Sequence, residues 1–113
     1  MLGSMTVIPA GKKLGLLVST GPEHDNRRHA IGLSEAALEA GADLYLYLID
    51  DGVRLMDDPR VRALPARGAK LFVCAYGCQK RRLPLTEHEG VSYCGLVVLT
   101  DLINGTDRFI ALN

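Results

Sequence analysis

The sequence predicts a single α/β domain: an open, mostly parallel sheet of about five strands with helices on both faces, in three layers. Two observations predict this class. Short, nearly continuous apolar runs alternate with segments of helical period, and crossovers of a dozen or more residues separate the runs, which implies parallel pairing. With 113 residues and 48% hydrophobic content, the chain can build one core without metals or disulfides.

Three apolar runs are predicted as strands buried on both faces, a pattern typical of parallel sheets. The first run ends at the turn Thr20-Gly21-Pro22, and the third follows Gly68. In chain order, the predicted strands are residues 13–19, 43–49 and 70–74.

The segments between these strands have helical spacing. A first helix is predicted from about Asp25 to Gly41, because glycine favours a helix end. Residues 53–67 predict a loosely helical crossover interrupted by Pro59, and residues 76–82 predict a helix after the third strand. The apolar face of the first helix contains Ala30, Leu33, Ala37 and Ala40.

The C-terminal part fits two structures. Val97-Val98-Leu99 has the β-branched character of a strand, but the surrounding apolar residues share one helical face. We expect a helix capped by Ser92 and ended by Asn104-Gly105, followed by a last strand over residues 107–112. The apolar residues on that helical face are Leu96, Leu99, Leu102 and Ile103.

Composition argues against two classes of partner. Lys plus Arg (13) balance Asp plus Glu (13), so no overall field attracts nucleic acid or an anionic membrane. No apolar run approaches the roughly 20 residues of a membrane span. Residues 1–4 resemble an expression scar ahead of a native start at Met5, so residues 5–113 are treated as one domain. The three cysteines favour the reducing cytoplasm over a disulfide framework.

Two cysteines, Cys74 and Cys78, lie where the third strand ends and the next helix begins. Ligands of open α/β sheets collect at the carboxyl ends of the strands. Free N–H groups at a helix N-terminus, with the cations Lys80 and Arg81 further along, stabilise a thiolate, which is the nucleophilic form. Cys78 follows one helical turn after Cys74 and is a candidate resolving thiol. Both cysteines are therefore candidate catalytic residues, with Lys80 and Arg81 in support.

These residues also have plainer structural interpretations. Free cysteine is among the most frequently buried residue types, so Cys74 can be core packing. The run Lys80-Arg81-Arg82 can be a solvated helix face. His24, in the turn after the first strand, is a candidate proton donor near the thiol, although a loop histidine is more often simply exposed. Cys94, just before the last helix, is interpreted as structural.

Neither a metal nor a cofactor is predicted. Structural zinc usually takes two paired Cys-x2-4-Cys motifs, and here Cys-x3-Cys has only Cys94 and three scattered histidines to complete it. The turn after the first strand lacks the glycine spacing of a nucleotide-binding loop. The histidines are His24, His29 and His88.

A series of short motifs is spread in order along nearly the whole chain, from about Lys13 to the C-terminus. They are Thr20-Gly21-Pro22, Glu39-Ala40-Gly41, Asp51-Gly52-Val53, Gly68 with the strand that ends at Cys74, and Asp107-Arg108-Phe109-Ile110. This ordered set resembles the DsrE-like family, which includes the sulfur-relay proteins DsrE, DsrF and TusD and the YchN-like proteins.

The resemblance implies a doubly wound, flavodoxin-like or Rossmann-like α/β fold, commonly assembled as dimers, trimers or hexamers. In sulfur-relay members, a cysteine at the end of this strand accepts sulfane sulfur and passes it on as a persulfide. The matching residue is Cys74, and the implied partners are sulfur donor and acceptor proteins. Relay members often have Arg-Gly after the cysteine helix, where this chain has Arg81-Arg82.

Three functions remain open from the sequence. The first is a sulfur carrier or sulfurtransferase with the persulfide on Cys74. The second is a non-enzymatic homo-oligomeric assembly or regulatory module in which Cys74 is packed core. The third is a redox switch that uses a Cys74–Cys78 disulfide. We favour the first because the strand-end position and the resemblance select the same cysteine.

Overall fold

The computed structural model describes residues 10–113, so the expression scar predicted at residues 1–4 lies outside the described residues. Its centre is a five-stranded sheet in which all neighbouring strands are parallel, in the order β4-β3-β2-β1-β5. The strands are β1 Lys13–Val18, β2 Asp43–Leu48, β3 Lys70–Cys74, β4 Val91–Cys94 and β5 Arg108–Leu112.

Helical segments connect these strands. Two 3-10 segments, Asp50–Asp57 and Pro65–Arg67, flank the short helix α2 between β2 and β3. The α-helices are α1 Asn26–Glu39, α2 Pro59–Arg62, α3 Ala75–Lys80 and α4 Leu96–Gly105.

The strand order assigns the helices to the two faces of the sheet. The first three crossovers step in one direction along the sheet, so the right-handed rule puts α1, α2 and α3 on one face. The crossover from β4 to β5 steps back across the sheet, which puts α4 on the opposite face. Val98 and Leu102 of α4 accordingly line one cavity with Tyr45 and Phe72, whose side chains share that face.

The core lies mainly between the sheet and the α1 side. Leu16, Leu46 and Leu71 are register neighbours on three adjacent strands, and all three are buried. Burying each leucine contributes about 1.5–3 kcal/mol relative to exposing it. Ala30 and Ala37 of the predicted apolar helix face are buried in the same cluster, whereas Ala40, at the C-terminal cap of α1, is exposed.

The predicted class, three layers with a parallel five-stranded sheet, is confirmed. The first two strands end one residue earlier than predicted, at Val18 and Leu48. The crossover over residues 53–67 is helical as expected, with Pro59 in the first turn of α2, where a missing N–H costs nothing. The tail is a helix followed by a strand, also as expected.

The sequence did not predict β4, and the predicted cap of α4 is wrong. Ser92 does not cap α4; it lies inside β4, and Gly95 precedes the helix. β4 has only four residues and pairs with β3 on one side alone. A short edge strand with a half-buried face carries too little apolar signal for a prediction from periodicity.

Gly52 lies where the 3-10 segment Asp50–Asp57 closely approaches β1. A Cβ atom at this buried position would overlap the carbonyl oxygen of Val18, which accepts the N–H of Ile49 at 3.0 Å. We expect Gly52→Ala to lower the free energy of unfolding by about 1–3 kcal/mol, measured by urea denaturation.

Gly32→Ala is the matched control. Gly32 is exposed within α1, and an added Cβ would meet nothing within 4 Å. Alanine is the better helix former, so this change should raise stability by about 0.5–1 kcal/mol. Equal stability of Gly52→Ala and the unmodified protein would contradict the described packing.

Candidate functional site

The candidate site is a cleft of about 320 Å³ at the carboxyl edge of the sheet. It lies where β3 leads to α3 on one face and neighbouring β4 leads to α4 on the other. Such a switch point is where open α/β sheets bind their ligands. Its walls include Cys74, Tyr76, Lys80, Arg81 and Leu96.

Cys74 is the last residue of β3 and lies against the cleft with 6% of its surface exposed. Its Sγ accepts a hydrogen bond from the backbone N–H of Gly77 at 3.4 Å, which makes the thiol the N-terminal cap of α3. Gly77 is buried, and a Cβ there would lie 3.2 Å from a methyl carbon of Val53. The absence of a side chain at Gly77 therefore helps the first turn of α3 to pack closely beside the sulfur.

Arg81 connects α3 to the segment that follows β2. Its Nε donates to Oδ1 of Asp51 at 2.9 Å, and a terminal guanidinium nitrogen donates to the carbonyl oxygen of Gly77 at 3.2 Å. Lys80 is exposed and lines the same cleft. The two supporting cations of the sequence prediction thus lie in the wall that contains Cys74, with Arg81 held in place by hydrogen bonds.

Arg82 stands where sulfur-relay members often have glycine. Its φ of 57° lies in the left-handed region, which favours glycine. The turn is closed by the N–H of Leu83, which donates to the carbonyl oxygen of Cys78 at 2.8 Å. The left-handed residue that ends α3 is therefore an arginine in this chain.

Cys78 does not share the cleft with Cys74. It is 2% exposed and lines a separate cavity of about 240 Å³ with Val53, Leu83 and Tyr93. Burial raises the pKa of Cys78, a charge on Cys74 raises it further, and Arg81 partly opposes this. The two cysteines that helical spacing suggests as partners thus line different cavities.

His24 lies apart from the cleft. β2 separates its strand, β1, from β3, and the residue is exposed in the turn before α1. Its Nδ1 accepts the backbone N–H of Asn26 at 3.0 Å. The contact observed for His24 is therefore with the start of α1, and the structure does not bring it beside Cys74.

Cys94 and Tyr47 are site residues that the sequence did not reveal. Cys94 ends β4 directly opposite Cys74 in the parallel register, and the buried hydroxyl of Tyr47 donates to the carbonyl oxygen of Gly95 at 2.9 Å. Because the sequence did not predict β4, it gave no indication that Cys94 would lie opposite Cys74.

Within residues 10–113, no three His, Cys, Asp or Glu side chains converge in a way that could bind a metal ion. No helix in this part of the chain is long and apolar enough to cross a bilayer.

The raised pKa of Cys78 predicts a loss of stability at alkaline pH. In the unfolded chain this thiol ionises near its ordinary value of 9.0, before it ionises in the folded state. Its contribution is therefore complete below that pH and is lost as the pH rises through the higher folded value. In Cys78→Ala, the slope of unfolding free energy against alkaline pH should be shallower by up to about 1.4 kcal/mol per pH unit.

Urea unfolding under reducing conditions at a series of pH values measures this slope. Val61→Ala is the control, because it also removes buried methyl groups but no titratable group. It should lower stability at every pH and leave the slope unchanged. An unchanged slope in Cys78→Ala would contradict the assignment.

Comparisons with known proteins give the fold from a solved structure and the family from a sequence profile. The structure is similar to the crystal structure of the YchN protein from E. coli, with a TM-score of 0.67 and 18% identity over 90% of this chain and 99% of that chain; at this identity the similarity concerns the fold alone. No curated protein sequence matches the chain. The sequence profile of the DsrE/DsrF-like family matches residues 12–112. The chain therefore belongs to the DsrE/DsrF-like family, as its ordered motifs predicted.

Proposed function

We propose that this protein carries sulfane sulfur as a persulfide on Cys74. The observation that carries the proposal is the position of the Cys74 thiol, which lies at the switch-point cleft with its Sγ bonded to the N–H of Gly77. Membership of a family generally related to sulfur relay supports the same residue. Hydrogen bonds from N–H groups strengthen as negative charge develops on the acceptor, so the N–H of Gly77 stabilises the Cys74 sulfur when it leaves in the delivery step.

Loading and delivery are two thiol exchange steps. The Cys74 thiolate attacks the outer sulfur of a donor persulfide, a new S–S bond forms, and the donor thiolate leaves with the electron pair of the broken bond. In delivery, an acceptor thiolate attacks the outer sulfur on Cys74, and the Cys74 thiolate leaves. Neither step needs an oxidant or a metal.

The wall of the cleft suits partners that present anionic sulfur groups. Lys80 and Arg81 add positive charge beside Cys74, whereas Asp50 lines the same cleft and Asp51 neutralises part of the charge on Arg81. Tyr76 is 69% exposed at the rim and offers an apolar contact surface. Donor and acceptor proteins with acidic residues around the reacting cysteine are the partners that this surface fits.

Intact-protein mass spectrometry tests the proposal. After anaerobic incubation with a small-molecule persulfide or thiosulfate and removal of the donor, the protein should gain about one sulfur atom per chain. Cys74→Ser should gain none, and Cys78→Ser should gain sulfur like the unmodified protein, because Cys78 lies outside the cleft. Sulfur uptake that persists in Cys74→Ser, or neither added sulfur nor released sulfide from the unmodified protein with any donor, would refute the proposal.

The competing function is an assembly module in which Cys74 only packs the core. A different surface favours it: α4 exposes Leu96, Val97 and Ile103 at 61%, 76% and 50%. Asp101 is the only charged residue on this helix, so two copies of the surface can meet about a two-fold axis with little like-charge repulsion. We propose that a second copy of the chain covers α4. Because Leu96 also lines the cleft, this interface would border the candidate site.

Sedimentation or light scattering measures this association directly. Val97→Lys should reduce the molar mass in solution to that of one chain, because it places a charge in the apolar surface. Ala36→Lys, at an exposed position of α1, adds the same charge elsewhere and should leave the mass unchanged. A single-chain mass for the unmodified protein at high concentration would rule out this interface.

A further inference from the structure

Cys94 is the thiol that the sheet places beside Cys74. The parallel register of β3 and β4 sets the two residues directly opposite each other. Register partners point to the same face of a sheet, and neighbouring strands lie about 4.8 Å apart. This spacing falls within the roughly 4.4–6.8 Å between Cα atoms that a disulfide requires.

Tyr47 completes the group on the same face. Its side chain is fully buried, and its hydroxyl donates to the carbonyl oxygen of Gly95. Burial raises the pKa of Tyr47, and charges on Cys94 and Cys74 raise it further, so the hydroxyl keeps its proton. Burial also raises the pKa of Cys94, and the neighbouring Tyr47 hydroxyl is the largest influence that lowers it. Because its one proton is donated to Gly95, Tyr47 is a neutral buried neighbour of both thiols.

Cys78 shares neither a sheet face nor a register position with Cys74. It lies in the cavity formed with Val53 and Tyr93, and Tyr93 is the register partner of Val73, on the face opposite to Cys74. Of the two remaining cysteines, Cys94 is thus the one that shares both a sheet face and a register position with Cys74.

We propose that Cys94 resolves the persulfide of Cys74 and so releases the carried sulfur as hydrosulfide; this inference rests on the proposed function of Cys74. The Cys94 thiol first gives its proton to solvent. The Cys94 thiolate then attacks Sγ of the protonated Cys74 persulfide, and a bond forms between the two Sγ atoms. The bond from Cys74 Sγ to the outer sulfur breaks, and the outer sulfur leaves as hydrosulfide with the electron pair.

The step balances without an outside oxidant. The two cysteines lose two electrons and become a disulfide, while the sulfane sulfur gains them and becomes sulfide. A low-molecular-weight thiol or a dithiol protein then reduces the disulfide before the next cycle. The protein would deliver sulfur at the oxidation level of sulfide, in addition to transferring sulfane sulfur to an acceptor.

The arrangement of the site selects the inner sulfur for this attack. Cys94 faces Cys74 across the ladder between β3 and β4, which brings it towards Sγ. The free space beside Cys74 is the cleft, which has room for the outer sulfur. An external acceptor would reach the outer sulfur from the cleft, and Cys94 would reach the inner sulfur from the neighbouring strand.

Tryptic peptide mapping distinguishes the two possible disulfides. Cleavage at Lys70, Lys80, Arg82 and Arg108 puts Cys74 and Cys78 in one peptide, residues 71–80, and Cys94 in another, residues 83–108. A Cys74–Cys94 disulfide therefore joins two peptides, whereas a Cys74–Cys78 disulfide stays within one. In Cys78→Ser, the only cysteine left in the first peptide is Cys74.

The experiment loads the full chain with a small-molecule persulfide without oxygen, removes the donor, and follows protein mass, peptide map and sulfide. The unmodified protein and Cys78→Ser should lose the added sulfur, join the two peptides, and release about one equivalent of sulfide per loaded chain. Cys94→Ser should keep the persulfide on Cys74 and release no sulfide within the same time.

The outcomes separate this inference from the proposed function. If no chain takes up sulfur on Cys74, both are overturned. If Cys74 takes up sulfur but the peptides stay separate and no sulfide appears, the carrier function stands and the role of Cys94 is overturned. The unmodified protein and Cys78→Ser both retain Cys94, and their peptide maps alone show whether the Cys74–Cys94 disulfide forms. The inference can therefore be tested even if Cys94→Ser does not fold.

Discussion

Parallel pairing between β3 and β4 is the interaction on which the candidate site depends. A tight turn starts this ladder: Gly90 has a φ of 79°, and its carbonyl oxygen accepts the N–H of Leu71 at 3.0 Å. The hydroxyl of Tyr93 donates to the carbonyl oxygen of Thr86 at 2.9 Å, which ties the preceding loop to the strand. Because β4 is an edge strand with one neighbour, these contacts help set the register that brings Cys94 opposite Cys74.

The two faces of the sheet give the three cysteines different chemistry. Cys74 and Cys94 lie on the α4 face, close to the hydroxyl of Tyr47. Cys78 belongs to the other face, where burial disfavours its thiolate. Strand alternation and the start of α3 therefore place Cys74 in the cleft, Cys94 beside it and Cys78 in the core.

The fold sets the location of the chemistry, and individual side chains at the carboxyl edge set its type. The similarity to the E. coli YchN structure covers nearly the whole of both chains at 18% identity, which means that the layered architecture tolerates extensive substitution. Arg82 illustrates this tolerance, since it adopts the left-handed conformation that favours glycine. A likeness of fold does not determine an activity, so the function has to be argued from Cys74, its hydrogen-bond donor and its neighbouring thiol.

The sequence by itself determined the alternation of strands and helices, the family, and Cys74 as the residue to examine. These properties depend on local patterns: apolar runs, helical spacing such as Leu99 and Leu102, and a cysteine at a strand end. Only the tertiary structure decided that Cys94 is the register partner of Cys74 and that Cys78 lines a different cavity. Strand register depends on hydrogen bonds between segments far apart in the chain, and β4 was too short to be detected from its own residues. Sequence spacing measures distance along one element, whereas the contact between these two thiols is made across two elements of the sheet.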